Sequence, residues 1–192
     1  MGVPGGRRRD DPALPPGQYE AKSFPVLSAG STPRVALDDW ELFIRTESGA
    51  THRWNWEQLL ELPAEDITVD IHCVTSWSKL RTDWRGVSLD TLFADVDTDL
   101  DFVMAHSYGG YTTNLQLKDI MGGRAWIAYR YDGQELEREH GGPARLLVPH
   151  LYLWKSAKWV QGFVMQSQND PGFWEQYGYH LHGDPWKEER YS

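Results

Sequence analysis

Ile67-Thr68-Val69-Asp70-Ile71-His72-Cys73-Val74-Thr75-Ser76-Trp77-Ser78 is the stretch on which the reading of this chain turns. Its first half, Ile67 to His72, is β-rich and predicts a strand. That strand delivers Cys73 at its end, into a polar and aromatic run rather than into a helix with apolar period. Cys73 is the one cysteine in 192 residues, so no intramolecular disulfide explains it. The residues alone leave two readings open. Free cysteine is among the most buried residue types, and that is the inert one; a thiolate is also a nucleophile and a metal ligand.

Further along stands Gly141-Gly142-Pro143-Ala144-Arg145-Leu146-Leu147-Val148-Pro149, followed by Lys155-Ser156-Ala157-Lys158. A soft thiolate upstream and a glycine-rich, cationic stretch downstream suit a large anionic cofactor bound through sulfur. Neither a G-x-x-x-x-G-K-[ST] loop nor a G-x-G-x-x-G turn between strand and helix occurs. Glycines there let backbone approach a ligand closely. Arg145 is suited to gripping phosphate through two parallel hydrogen bonds, with Lys158 as a point charge. An ordinary loop with surface cations is the equal alternative.

A nucleophilic Cys73 needs a base, for which His72, His106, His140 and His150 are candidates. Zinc is disfavoured, because a single cysteine with scattered histidines lacks the paired short spacings of zinc sites. The pair His180-Leu181-His182 suits a surface position better than a metal. One protein thiolate suffices for a metal whose cofactor supplies the remaining sulfurs. Tyr108-Gly109-Gly110-Tyr111-Thr112-Thr113-Asn114 offers hydroxyls and permissive backbone, or simply a hairpin. Ser28-Ala29-Gly30 is a turn or a backbone contact for a ligand. Asp38-Asp39, Glu65-Asp66 and Glu188-Glu189 are read as solvated charges.

The predicted elements are short. Strands are expected over 40–45, 67–72, 102–105, 125–131, 145–148 and 159–165, with a turn at Asp132-Gly133. Short helices are expected over 56–62, capped by Asn55 and stopped before Pro63, and over 88–93, capped by Ser88. Residues 1–33, rich in proline and glycine, predict an extended arm, pinned around Phe24-Pro25-Val26-Leu27; residues 34–192 predict a single domain. The fold class is α+β, with strand-rich mixed sheets and short helices.

Net charge of −9 without a basic stripe argues against nucleic acid. No run reaches the roughly 18 apolar residues of a membrane span. Arg7-Arg8-Arg9 leads into Asp10-Asp11-Pro12 rather than an apolar stretch, so a secretory reading fails and a cytoplasmic location is expected. Ten tryptophans supply core or pocket area, with a stacking surface for glycans or bases as the alternative use.

Together these segments resemble the molybdopterin-binding domain of the sulfite oxidase family, over roughly residues 25 to 165. The carriers are Cys73-Val74-x-x-Trp77-Ser78, Gly109-Gly110-Tyr111-Thr112, and Gly141-Gly142-Pro143-x-Arg145-Leu146-x-Val148-Pro149 with Lys155 and Lys158. The end, from Gly178 through Arg190-Tyr191, is similar to that of small stand-alone bacterial members. The resemblance implies a sulfite oxidase-like fold and a molybdenum cofactor, the pyranopterin dithiolene molybdopterin. In that family a cysteine thiolate binds the metal, and Cys73 is the match. Arg145 falls where an arginine holds the pterin or its phosphate, and Ser156-Ala157-Lys158 on a further cofactor-contacting segment. Ser107 matches a threonine contact and His140 an asparagine in the periplasmic sulfoxide-reducing branch; Thr112 belongs to the same loop set.

Sulfite oxidases proper place arginines shortly after the metal cysteine, where this chain has Trp77 and Ser78. The Cys-Val-x-x-Trp-Ser pattern instead resembles the catalytic subunit that reduces methionine sulfoxide. That subunit carries a twin-arginine export signal, and the family includes haem and dimerisation domains; the sequence contains neither pattern. The implied activity is two-electron oxo transfer on a small sulfur oxoanion or sulfoxide. Tyr108 or Tyr111 would offer a hydroxyl to substrate, with Arg81, Arg85 and Arg124 as candidate substrate cations. A separate electron donor or acceptor protein is implied, and the short Arg145-to-Lys158 grip predicts the simple phosphate form of the pterin. The rival readings are a cofactor carrier without turnover and a glycan-binding domain.

Overall fold

A computed structural model describes residues 14–192. Arg7 and the rest of the basic run lie outside the described residues. Two mixed sheets carry the chain. The first has six strands: β1 (Tyr19–Glu20), β4 (Ala64–His72), β5 (Trp77–Ser88), β8 (Trp126–Tyr131), β9 (Gln134–Glu135) and β10 (Arg145–Leu147). Its main path runs β1-β5-β8-β10, with β4 on β5 and β9 on β8. The second has five: β2 (Glu41–Arg45), β3 (Thr51–Asn55), β6 (Phe102–Ser107), β7 (Thr112–Gln116) and β11 (Val160–Gln166), in the order β3-β2-β11-β6-β7. Parallel pairing occurs at β1–β5 and β2–β11 and the other ladders are antiparallel.

The helices are as short as the sequence predicts. Helix α1 (Trp56–Glu61) opens on Asn55 with a reciprocal capping box to Gln58. Helix α2 (Leu89–Phe93) opens on Ser88, whose hydroxyl accepts from the Asp90 N–H. Helices α3 (Leu117–Ile120) and α4 (Phe173–Gln176) are single turns.

Side chains of the six-stranded sheet alternate between two apolar layers. Val87, Ile127 and Leu146 join Leu42, Ile44, Val103, Val160 and Phe163 in the layer between the sheets. Ile71, Cys73, Trp77, Trp84, Ala128 and Leu147 form the layer on the other face. Part of the predicted arm covers that second layer. Phe24 meets Trp77 and Trp84 edge-on at 6.0 Å and stacks on His140 at 4.0 Å. Residues 19–20 are a strand of the sheet itself, so this part of the predicted arm is built into the domain's architecture.

The longest strand, β5 at 12 residues, is absent from the sequence reading. It pairs with β4 along one edge, and on the other with β1 at its start and β8 at its end. Its register shifts between Arg85 and Gly86, where the strand crosses close to β8. A Cβ at Gly86 would sit 2.5 Å from the Ile127 carbonyl oxygen, so only glycine fits.

Candidate functional site

The turn 73–77 that joins β4 to β5 presents Cys73 at one end of the six-stranded sheet. The Cys73 N–H donates to the Trp77 carbonyl at 2.8 Å, and the Ser76 N–H to the Cys73 carbonyl at 3.1 Å. The thiol, 8% exposed, lies 3.1 Å from the Thr75 hydroxyl. Burial pushes its pKa up, opposed by the Thr75 hydrogen bonds and the Arg190 charge.

Cys73 lines a cleft of about 540 Å³, within the usual range for cofactor and small-molecule sites. Its walls come from segments far apart in sequence: residues 24–33, the 108–111 loop, the 153–159 segment, Phe173-Trp174 and Tyr179. Most of the wall is aromatic or aliphatic. Of the sequence-derived site residues, Cys73, Tyr108, Tyr111, Arg145, Ser156 and Lys158 line it. Ser28, Ala29, Gly30, Gly109 and Gly110 line it too, the last two at positive φ, which glycine adopts freely.

Arg145 is 2% exposed and reaches the cleft from β10. Its Nη1 donates to the His140 carbonyl and its Nη2 to the Ser156 carbonyl, both at 2.8 Å, and its guanidinium lies over the Trp84 ring. Burial lowers its pKa to about 10. Two of its N–H bonds, one on each terminal nitrogen, are not used by these carbonyls. Lys158 is half-buried, its pKa lowered to about 8 by burial and then by Arg145. Its ammonium donates to the Leu27 carbonyl at 2.7 Å, the Glu139 carbonyl at 2.6 Å and the Ser28 hydroxyl at 3.2 Å. Among the described residues, neither cation forms a salt bridge to a carboxylate. A desolvated charge without a counter-ion is costly unless something anionic completes it.

Other sequence-derived residues fall outside the cleft wall. Ser107 and Ala157 are buried, Thr112 is on β7, and His140 lies beneath Phe24. Gly141 and Gly142 approach protein rather than a ligand. A Cβ at Gly141 would crowd Arg145 and Lys158, and one at Gly142 would strike the Leu136 carbonyl. Their close packing carries the cationic segment. Ser156 Oγ accepts from the Val148 N–H, which fixes the oxygen and leaves its own O–H to donate.

Both tyrosine rings line the cleft while both hydroxyls serve the main chain. Tyr108 Oη accepts from the Glu41 N–H at 2.8 Å, and Tyr111 Oη donates to the Trp154 carbonyl at 2.5 Å. Burial and the Glu175 carboxylate raise the Tyr111 pKa well above its ordinary value. Lys155 belongs to structure: it is fully buried against Glu175 at 2.6 Å and against Asn114.

The proposed substrate cations do not reach the cleft. Arg85 pairs with Asp66 at 2.8 Å, Arg124 lies 3.9 Å from Asp119, and Arg81 is exposed with its N–H held by Asp70. No histidine lines the cleft either, so the nucleophile-and-base reading of Cys73 has no partner among the described residues. His72 binds the Ser78 hydroxyl and is held neutral, its pKa lowered to about 4 by burial.

The residues present fit a pterin-bound metal: a lone thiol for the metal, an uncompensated buried arginine for an anionic tail, and a buried donor without a partner in the cleft wall. That donor is Trp77 Nε1, which has no hydrogen-bond partner, on a residue lining the cleft. Sequence reasoning missed the aromatic wall of Phe24, Trp154, Trp159, Phe173, Trp174 and Tyr179. The tryptophan count was its one available signal.

Comparison with known proteins agrees. A family described as oxidoreductase molybdopterin binding domain matches residues 29–174. An uncharacterized oxidoreductase of Bacillus subtilis, YuiH, is 39% identical over 93% of this chain and 92% of its own length. The putative protein-methionine-sulfoxide reductase subunit YedZ1 of Azospira oryzae is 29% identical over 69% of this chain. The corresponding catalytic subunit MsrP of Gluconobacter oxydans is 27% identical over 69%. The chain spans about half the length of those two, 51% and 50%. The sulfane dehydrogenase SoxCD of Paracoccus pantotrophus has a like fold, with TM-score 0.64 and 20% identity over 71% of this chain and 40% of that one.

Proposed function

This chain belongs to the oxidoreductase molybdopterin-binding domain family, and we propose that its substrate is a neutral sulfoxide or thioether rather than a sulfur oxoanion. It is a molybdopterin-dependent oxidoreductase of sulfite oxidase-like fold, and its cofactor is molybdenum with molybdopterin. Its chemistry is consistent with oxo transfer at sulfur.

The single observation that carries the substrate class is the accounting of positive charge in the cleft. Among the described residues, Arg145 and Lys158 are the only cations that line it, and both are assigned to the cofactor's anionic tail. The arginines that might have met an oxoanion are paired or turned away elsewhere. What is left for substrate is an aromatic wall, including Trp174 stacked on Tyr179 at 5.0 Å. Such a wall suits an apolar group bonded to sulfur.

In this reading Cys73 holds the metal and Arg145 supplies two free N–H bonds to the pterin phosphate. When bound, the cofactor supplies two-electron oxo transfer. Burial keeps the Cys73 thiol protonated in its absence, so ligation releases a proton. Arg190 and Lys158 offset the thiolate charge once formed. The Trp154, Trp174 and Tyr179 rings form part of the cleft wall and keep water from it. The Tyr108 and Tyr111 hydroxyls, held by main chain, fix the loop around Gly109-Gly110. Electrons pass to or from a separate protein, in keeping with relatives named as subunits. The location proposed is the cytoplasm, where a single thiol remains reduced.

The test is turnover of cofactor-loaded protein with a reduced dye as donor against methyl sulfoxides, and with an oxidising dye against sulfite. A higher kcat/KM for the sulfoxides is expected. Preference for sulfite would overturn the substrate class, and absence of turnover with either would favour a carrier.

A further inference from the structure

We propose that Gln18 and Arg190, from opposite ends of the chain, are positioning residues that together set the orientation of Cys73. The inference rests on Cys73 as the metal ligand, and it deepens that site by naming what fixes it.

The turn that presents Cys73 has only two internal main-chain bonds, and Ser76 within it stands at φ 74. Residues outside the turn provide the rest of its support. Gln18, fully buried, donates from Nε2 to the Cys73 carbonyl at 3.1 Å. Its Oε1 lies 3.4 Å from the Ser78 hydroxyl, which in turn meets His72 Nδ1 at 2.8 Å. The residues flanking the turn and the carbonyl of its first residue are thus tied to one amide. From the other end of the chain, Arg190 Nη1 donates to the Val74 carbonyl at 2.6 Å. Its Nη2 reaches the Pro16 carbonyl at 3.3 Å, and the guanidinium lies 5.1 Å over the fully buried Tyr152 ring.

Two further observations point the same way. Gly17 stands at φ +71, and a Cβ there would come within 3.2 Å of Arg190 Nη2, so the glycine keeps that reach open. The main chain of Arg190 is itself fixed, its carbonyl accepting from the His180 N–H at 3.1 Å. Both clamping residues lie outside residues 29–174, where the family match falls. The metal-presenting turn of this chain therefore depends on its flanks. Charged hydrogen bonds, such as that of Arg190 to the part-buried Val74 carbonyl, are among the stronger orienting contacts available.

The experiment uses the full chain with Arg190→Met, Arg190→Lys and Gln18→Met. In cofactor-free protein, alkylation of Cys73 by iodoacetamide at one fixed pH reports how firmly the turn holds the thiol. In loaded protein, molybdenum retention and the electron-paramagnetic signature of the metal report its ligand geometry. Gln18→Met, which leaves the charge beside the thiol unchanged, is expected to speed alkylation by about fivefold, in line with loss of one hydrogen bond, and to change the signature. Arg190→Met also removes a charge that favours the thiolate, so it is read on the loaded protein, where it is expected to lose molybdenum more readily and to change the signature, and Arg190→Lys should restore part of both. Should Arg190→Met fail to fold, Arg190→Lys and Gln18→Met decide the matter on the same readouts. Folded variants with wild-type alkylation rate and wild-type signature would overturn the proposal. Failure of the ligand reading would show separately, as molybdenum retained by Cys73→Ser.

Discussion

At the scale of single residues, the cleft's charge depends on pH through Lys158. Burial and the neighbouring Arg145 bring its pKa down to about 8, whereas Arg145 holds its charge to about 10. A lysine with a lowered pKa is fully charged below that value and loses its charge as pH rises through it. Affinity of cofactor-free protein for sulfate, a dianion throughout this range, is therefore expected to be flat below pH 8 and to fall above it. Lys158→Met should weaken binding and remove the break; titration calorimetry across the range measures both. A curve with the same break in Lys158→Met would assign it elsewhere. The cleft residues that motif reading finds, Cys73, Arg145, Ser156 and Lys158, sit in two compact segments with distinctive chemistry. Its blind spots at this scale are of orientation. That the Tyr108 and Tyr111 hydroxyls bind main chain, or that Arg85 pairs with Asp66, depends on partners dozens of residues away or across a strand pair. Gln18 and Arg190 carried no local signal either, since a glutamine and an arginine near chain ends look like solvated surface.

At the scale of elements, β5 is the piece that positions the site, and its glycine the most exacting residue. Gly86→Ala is expected to cost about 1–3 kcal/mol, as overpacked sites do, because its Cβ meets backbone that cannot rotate away. A lower urea midpoint with unchanged slope would show it; an unchanged midpoint would mean that β5 and β8 can separate at this point. The same strand explains a gap in the sequence reading. Thr82 and Trp84 face inward while Arg81 and Asp83 face water, so the inward row is half polar and its apolar alternation is weak. Thr82 is satisfied by the Val69 carbonyl and by Trp84 Nε1, contacts that no local pattern announces. By contrast α1 was legible to its cap, because Asn55, Gln58 and Pro63 are local signals and the structure uses all of them locally.

At the scale of the whole molecule, an acidic chain gathers two cations and one thiol at a single cleft. Strand-rich mixed sheets were foreseeable from short β-rich runs and turn signals. The order of the strands was not, since β2 beside β11 and β1 beside β5 are pairings over more than 55 residues. Packing then brings the 24–33 segment and Trp174 to the same opening, which spacing in sequence does not encode. The central claim is that this opening holds a molybdenum cofactor through Cys73. The most direct test is elemental analysis of protein purified from cells grown with ample molybdate, alongside fluorescence of the oxidised, released pterin. Stoichiometric molybdenum and pterin in the wild type, with the metal lost in a folded Cys73→Ser variant, is the predicted result. A wild-type protein devoid of both, or a Cys73→Ser variant that keeps its molybdenum, would contradict it.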